Sequence, residues 1–456
     1  MGGGGVTALD QRIEAGLRPI PGRLVQRATY PPRTGHRNRW PGRHRGSRRR
    51  RKALTGDRTS SGFQVRKTVR RAGGACPKRS LIEERLQIRS LRLTDFRNYA
   101  EAGVEFSPGL NLVVGRNGQG KTNLLEAINV LSGLGSHRGA AGEAMVRQGA
   151  ERAVLSGTGS AGGRDVRMDA EVKRTGGTRL LVNRVAVERM GASSSAGMLV
   201  AVAFSPDDLV IIKGGPEERR RLLDQGAARV RLLGATDRQE FERVLRQRTG
   251  LLKAAPNSHR ALATLDVWDE SFARAGAVVV RNRLSVVDKL RPEVLRRYRS
   301  VAGVGAEVSV EYKASWLEPG AVSEDELRAA LFDALAKARS KDLERGVSTV
   351  GPHRDDVEVL LGGTDARLFA SQGEQRSLAL SLRMAERDLV AADRGEDPIL
   401  LLDDIFSELD EVRRGHLVEM VATSGQTIAT ATSGAGWPMA VSQTLSVEAG
   451  RVVANG

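Results

Sequence analysis

One cysteine, Cys76, serves the whole of this chain of 456 residues. A disulfide framework and a cysteine-based zinc site within one chain are both excluded, which fits a reducing cytosol. No apolar run approaches the ~18 residues needed to span a bilayer. The longest, "MLVAVAF" and "PILLL", read as buried strands. The N-terminus lacks the apolar stretch of a secretory signal. The body of the chain also lacks an excess of either charge. The formal charge of +18 comes from 72 Lys+Arg against 54 Asp+Glu, and residues 1–80 hold 21 of the basic and 3 of the acidic residues. What remains is 51 of each sign, so a nucleic-acid site on the body must be a local patch rather than a global field.

The length allows two or three domains with a sizeable core. Residues 1–80 are rich in Gly, Pro and Arg, with "RHRGSRRRRK" at 43–52. Such a segment buries too little apolar surface to offset its chain entropy and is expected to be disordered. It reads either as a basic arm that grips nucleic acid or targets the chain, or as a translated leader ahead of the true start. Apolar patterning begins abruptly at Leu86.

From there "RLQIRSLRL" predicts a strand near 86–94, and "GLNLVVG" (109–115) a second that runs into a glycine loop. A helix is expected from Lys121. Residues 153–190 alternate apolar and polar with glycine turns and predict an antiparallel sheet. From 214 to 345 the spacing turns helical, apart from a strand at "AEVSVEYK" (306–313). Sheet and helix patterns return at 346–456. The reading is an α/β head, residues 81–213 and 346–456, split by an inserted helical lobe at 214–345.

Gly115, Gly120, Lys121 and Thr122 in "GRNGQGKT" satisfy G-x-x-x-x-G-K-[ST] between a strand and a helix. Arg116, Asn117, Gly118 and Gln119 fill the loop between them. Glycines let the backbone wrap phosphates, and the helix N-terminus points N–H groups at negative charge. Lys121 is expected to reach the β- and γ-phosphates of ATP, and the Thr122 hydroxyl to ligate Mg²⁺. A ligand-free strand-to-helix turn is the plainer alternative. The loop also needs a carboxylate at the end of a neighbouring buried strand. "PILLLDDIFSELD" (398–410) supplies Asp403 for the metal and Asp404 as a water-activating group. A third element, "FASQGEQRSLALSLRMAERDLV" (369–390), opens an amphipathic helix at Ser371. Ser371 and Glu374 fit a capping box, and the same start with Gly373 suits a phosphate held by another copy.

The order phosphate loop, helical insertion, "SQGEQ", "LLLDD" and "SELD" resembles the ABC-type ATPases of genome maintenance and, within them, the RecF family of bacterial recombination repair. "LRLTDFRNY", "SHR" (136–138), "FSPDDL" (204–209) and "GPHRDD" (351–356) support it, over residues 86–445. The resemblance implies an ABC-type P-loop head, an ATP-dependent DNA-binding protein that pairs head to tail on ATP, and slow hydrolysis. It also implies RecO- and RecR-type partners in loading recombinase at gapped DNA, and a link to the SOS response. By motif match, Ser371, Gly373 and Glu374 complete the partner's site, Asp410 ends the D-loop, and Pro206 and Asp207 occupy a sensor loop. The wider class carries a switch histidine after the D-loop. "QTIATATS" (426–433) has none, which leaves Thr430 or Thr432, and Asp404 replaces the usual glutamate.

A transporter ATPase would not carry the long helical insertion before its signature, and a P-loop kinase leaves "SQGEQ" unexplained. Long-armed and zinc-hook relatives need heptad arms or Cys-x-x-Cys, and a fused nuclease needs a further acidic cluster after Asp410; the sequence offers none of these. Arg219, Arg220 and Arg221, with Arg97, Arg138 and Arg147, are candidate DNA contacts or ordinary ion-paired arginines.

Overall fold

A computed structural model describes residues 85–187, 198–231, 234–255, 258–302, 305–317, 323–407, 409–434 and 436–455. The basic segment 1–80 and Cys76 lie outside the described residues.

Two six-stranded sheets build the head. The first joins β1 (Gln87–Phe96), β2 (Tyr99–Glu105), β4 (Arg152–Ala161), β5 (Arg164–Lys173), β6 (Thr178–Val182) and β7 (Val185–Ala186), all antiparallel, in the order β2-β1-β4-β5-β6-β7. Along β5 alternate residues Val166, Met168, Ala170 and Val172 are buried, the period-2 pattern of a sheet with one face on the core.

The second sheet is β15-β14-β3-β13-β12-β8, from β3 (Leu110–Val114), β8 (Ala201–Phe204), β12 (Ile399–Asp403), β13 (Thr427–Ala431), β14 (Gln443–Glu448) and β15 (Arg451–Asn455). Its strands β14, β3, β13, β12 and β8 run parallel. Here the strands are buried without alternation: every residue of β8 and β13 is in the core, as are Ile399–Leu402 of β12. Continuous apolar runs are what a parallel sheet covered on both faces requires. Register puts Asp403 beside Thr430 and Leu402 beside Phe204, so the carboxyl ends of β3, β13, β12 and β8 form one edge.

Two helices start close to that edge, α1 (Lys121–Asn129) after β3 and α6 (Gln372–Arg394) immediately before β12. Between β8 and α6 lie α2 (Pro216–Val230), α3 (Gly234–Ala254), α4 (His259–Ala302) and α5 (Glu324–Arg345). A small sheet of β9 (Val308–Lys313), β10 (Asp356–Leu361) and β11 (Thr364–Asp365) accompanies them. α4 runs for 44 residues, about 66 Å at 1.5 Å per residue, and continues through Pro292. Proline inside a helix costs ~3 kcal/mol; burial of Val294, Tyr298 and Val301 beyond it offsets that.

Buried ion pairs tie the helices together. Arg229 on α2 meets Glu386 on α6 and donates to the Ala201 carbonyl of β8 at 2.8 Å. Arg248 on α3, fully buried, meets Asp269 on α4 at 2.6 Å and Asp342 on α5 at 2.7 Å. Arg283 on α4 grips Asp224 on α2 through two nitrogens at 2.7 and 3.0 Å. α7 (Glu411–Thr423) precedes β13. Among the described residues no helix is long and apolar enough to cross a membrane.

Candidate phosphate and metal site

The glycine loop joins β3 to α1 with Arg116, Asn117 and Gly118 exposed and Gly120 buried. Gly115 and Gly120 have φ of 157° and 117°. A Cβ on Gly115 would overlap the Val447 carbonyl, and one on Gly120 would lie 2.7 Å from Asn98 Nδ2. The loop is braced from both sides. Tyr99 Oη donates to the Gly120 carbonyl at 2.9 Å, Asn98 Nδ2 to the Gln119 carbonyl at 2.8 Å, and Gln119 Oε1 accepts from the Ala449 amide at 2.6 Å. Burial raises the Tyr99 pKa, so its hydroxyl stays a donor. The bracing roles of Asn98 and Tyr99 were not legible in "DFRNY", because their partners are backbone atoms 21 residues on.

Lys121 is the first residue of α1 and is 6% exposed. Its ammonium donates to the Gly115 carbonyl at 2.8 Å, the Arg116 carbonyl at 3.2 Å and Asn117 Oδ1 at 3.4 Å. No carboxylate neutralises it among the described residues. A buried cation held only by neutral oxygens is poised for an anion. One residue on, Thr122 Oγ1 donates to Asp403 Oδ1 at 2.9 Å, joining positions 281 residues apart. Thr430 Oγ1 donates to the same oxygen at 2.9 Å and accepts from the Asp404 amide at 2.9 Å. Thr430 is therefore at the site, and Thr432 is exposed beyond it. Asp404 has a left-handed φ of 48°, and its carbonyl accepts from Ser407 Oγ at 2.7 Å. Strain of that kind collects where a side chain must be aimed.

One hydroxyl and one carboxylate, both hard oxygen donors, fit a Mg²⁺ ion that takes its remaining ligands from phosphate and water. No cluster of three or more His, Cys, Asp or Glu side chains among the described residues offers an alternative metal cage.

The signature segment does not join this group. Ser371 caps α6 and Glu374 closes the box, with Glu374 Oε2 accepting from the Ser371 amide at 2.7 Å. Hydrogen bonds from the Ser371 hydroxyl and the Ser371 amide hold the Glu374 carboxyl below its usual range. The Gly373 carbonyl accepts from Arg413 Nη2 at 2.7 Å, and Arg413 also pairs with Asp410, the N-cap of α7. No described hydrogen bond or ion pair links Ser371, Gly373 or Glu374 to residues 115–122.

Pro206 and Asp207 lie in a 3₁₀ turn after β8, capped by Ser205 and Asp208. Arg383 of α6 holds Asp208 at 2.7 Å. Of the candidate DNA contacts, Arg219 is buried on Asp356 at 2.9 Å, and Arg221 pairs with Glu218 at 2.8 Å. Arg220 donates to the Asp355 carbonyl at 2.6 Å. Arg97 clasps Glu126 with two nitrogens, 2.7 and 2.6 Å, and Arg147 faces Asp95 at 3.5 Å. Arg138 alone of the six leaves its guanidinium without a partner among the described residues.

A phosphate loop after β3 and an acid-tipped β12 on the same parallel edge, with β13 between them rather than the direct neighbour expected, define the head of an SMC-like ATPase. The chain belongs to the family described as RecF/RecN/SMC N terminal domain, whose model matches residues 87–435. Within it the chain stands with RecF. It is 42% identical over 373 residues to the DNA replication and repair protein RecF of Beutenbergia cavernae, a match covering 76% of this chain and 94% of the relative. It is also similar to a solved structure described as the recombination mediator protein RecF-ATPrS in the RecFOR pathway. That likeness has a TM-score of 0.71 at 28% identity and covers 82% of this chain and 99% of the other. A second structure, of RecF-ATP in the same pathway, matches with the same score and identity over 83% and 100%.

Proposed function

We propose that the chain is an ATP-dependent DNA-binding protein of replication and recombinational repair. The observation that carries this reading is the buried Lys121 ammonium, without a carboxylate partner, beside a Thr122 hydroxyl already aligned on Asp403. ATP supplies the missing negative charge, and Mg²⁺ the cation between Thr122, Asp403 and the phosphates. Gly115 to Gly120 wrap the phosphates, with Arg116, Asn117, Gly118 and Gln119 along the loop. Asp404 orients the attacking water, and as an aspartate it stands one methylene back, which makes hydrolysis slow.

The signature completes the site of a second copy. Its capping box uses the amides of Ser371 and Glu374, and no described hydrogen bond uses the amides of Gln372 or Gly373. Two such amides at a helix N-terminus suit a terminal phosphate. ATP then drives a head-to-tail pair on DNA, with hydrolysis as its timer. Residues 214–345 form a helical lobe set between the head halves 81–213 and 346–456, after a basic extension at 1–80. The pair acts in the cytoplasm with RecO- and RecR-type mediators to load recombinase at gapped DNA, in connection with the SOS response.

The test is DNA binding with and without ATP on duplex, single-stranded and gapped substrates, alongside sedimentation. ATP should both pair the chain and tighten DNA binding. Binding indifferent to ATP on all three substrates would remove the reading.

A further inference from the structure

A cavity of about 270 Å³ lies between residues 137–138, the turn at 205–208, α2 and α6. Its charged lining divides into two sets. Arg383 holds Asp208 and Arg221 holds Glu218, so those four neutralise one another. His137, Arg138 and Asp207 have no side-chain partner among the described residues. Both ring nitrogens of His137 are shielded from solvent and unpartnered, and no other described side chain leaves two buried polar atoms so. Each such atom costs ~1–3 kcal/mol, and native proteins retain few of them. His137 is therefore built for a partner that arrives later.

Its position says which. Ser136 Oγ binds the buried Glu126 carboxylate, which Arg97 also clasps. Glu126 lies one turn beyond Thr122 on α1, so the two share a face. The segment carrying His137 is thus pinned to the helix that carries the metal hydroxyl. Asp207, on its other side, follows β8, which pairs with the acid-tipped β12. Burial lowers the pKa of His137 against the opposing pull of Glu126, Asp403 and Asp208. The ring is neutral at pH 7, with one N–H donor and one bare acceptor nitrogen.

We propose that His137 is a positioning residue for ATP hydrolysis, taking the Asp207 carboxylate on one ring nitrogen and a water on the other when Mg-ATP fills the loop. The carboxylate fixes the tautomer, and the bare nitrogen then fixes the direction of one water O–H. No proton moves to the ring; its effect is on geometry. The proposal rests on Lys121, Thr122 and Asp403 holding Mg-ATP.

The full chain, His137→Ala, His137→Gln, Asp207→Asn and Lys121→Ala should be compared for ATP affinity and single-turnover hydrolysis. Ring resonances of ¹⁵N-histidine protein should be followed with ADP and with a slowly hydrolysed ATP analogue. His137→Ala and Asp207→Asn should slow hydrolysis on the order of 100-fold with affinity within about 2-fold of the parent. His137→Gln, which keeps a donor and an acceptor, should recover part of the rate. The resonance lost in His137→Gln should shift with the ATP analogue and stay put with ADP. Parental hydrolysis in His137→Ala, a fall in affinity matching the fall in rate, or a resonance indifferent to the analogue would each overturn the proposal. Any of these with Lys121→Ala still failing to bind ATP leaves the nucleotide site standing. Lys121→Ala binding ATP like the parent overturns both.

Discussion

The starts of α1 and α6 use the same physics to opposite degrees of completion. Both are helix N-termini after short loops, and both point free amides outward. At α1 the surroundings are finished: Gly120 is packed under Tyr99, Lys121 is buried, and Thr122 is hydrogen-bonded to a strand 281 residues away. At α6 Ser371, Gln372 and Glu374 are exposed, and the segment bonds to itself and to Arg413. In the proposed reading the start finished within one chain binds ATP, and the one left open after its box is closed meets a second copy, so that each copy offers one of each.

The largest way to break this comparison is Ser371→Arg. A bulky cation on the open start should abolish ATP-driven pairing in sedimentation while ATP affinity stays near the parent's. Pairing at parental strength would show that the open start faces nothing. Lys121→Ala attacks the finished start instead. Losing a charge-assisted contact should weaken ATP on the order of 100-fold by equilibrium binding, and pairing should vanish with it. Asp404→Asn separates holding from hydrolysis. Single-turnover rates should fall up to ~100-fold with affinity kept, whereas Asp403→Asn should lose Mg²⁺-dependent affinity as well. An unchanged rate in Asp404→Asn would move the water-orienting role elsewhere.

The smallest expected effect lies away from both starts and serves as their control. His353 and Asp355 are two positions apart in "GPHRDD", and burial shifts them in opposite senses. Burial lowers His353 to about 4, and it raises Asp355 to about 6 against hydrogen bonds from Tyr312 at 2.6 Å and Trp316 at 2.9 Å. Between pH 4 and 6 the unfolded chain holds the histidine proton more tightly, so that group makes stability rise with pH. The folded chain holds the Asp355 proton more tightly, so that group makes stability fall over the same window. The two slopes nearly cancel. Denaturant unfolding at pH 4, 5, 6 and 7 should show Asp355→Asn gaining stability with pH relative to the parent, and His353→Gln losing it. The slope is at most about 1.4 kcal/mol per pH unit. Identical profiles for the two variants would show that the pair does not titrate as described. ATP-driven pairing at pH 8 should be untouched in both.

How much of this was legible in the sequence followed the distance between partners. The loop "GRNGQGKT" is a local pattern, and "PILLLDD" announces a buried strand tipped with acid, so Lys121, Thr122 and Asp403 could be read directly. The parallel strands were legible as unbroken apolar runs. Ion pairing was not. Arg219, Arg220 and Arg221 look like an exposed cationic cluster, yet Arg219 is buried against Asp356, 137 residues on. Arg97 likewise meets Glu126 across 29 residues. Burial of His137 is a tertiary fact with no local signature, and "SHR" shows only that an imidazole is present.

Arg413 carries a mechanical consequence. Its guanidinium reaches the Gly373 carbonyl, Ser377 Oγ at 2.9 Å and the Asp410 carboxylate at once. It works as a bracket, fixing the first turn of the signature helix to the first turn of α7, a few residues beyond the acid-tipped end of β12. Two parts fixed by a bracket share one set of displacements. The first turn of α6 and the first turn of α7 therefore move as one piece for as long as Arg413 holds both.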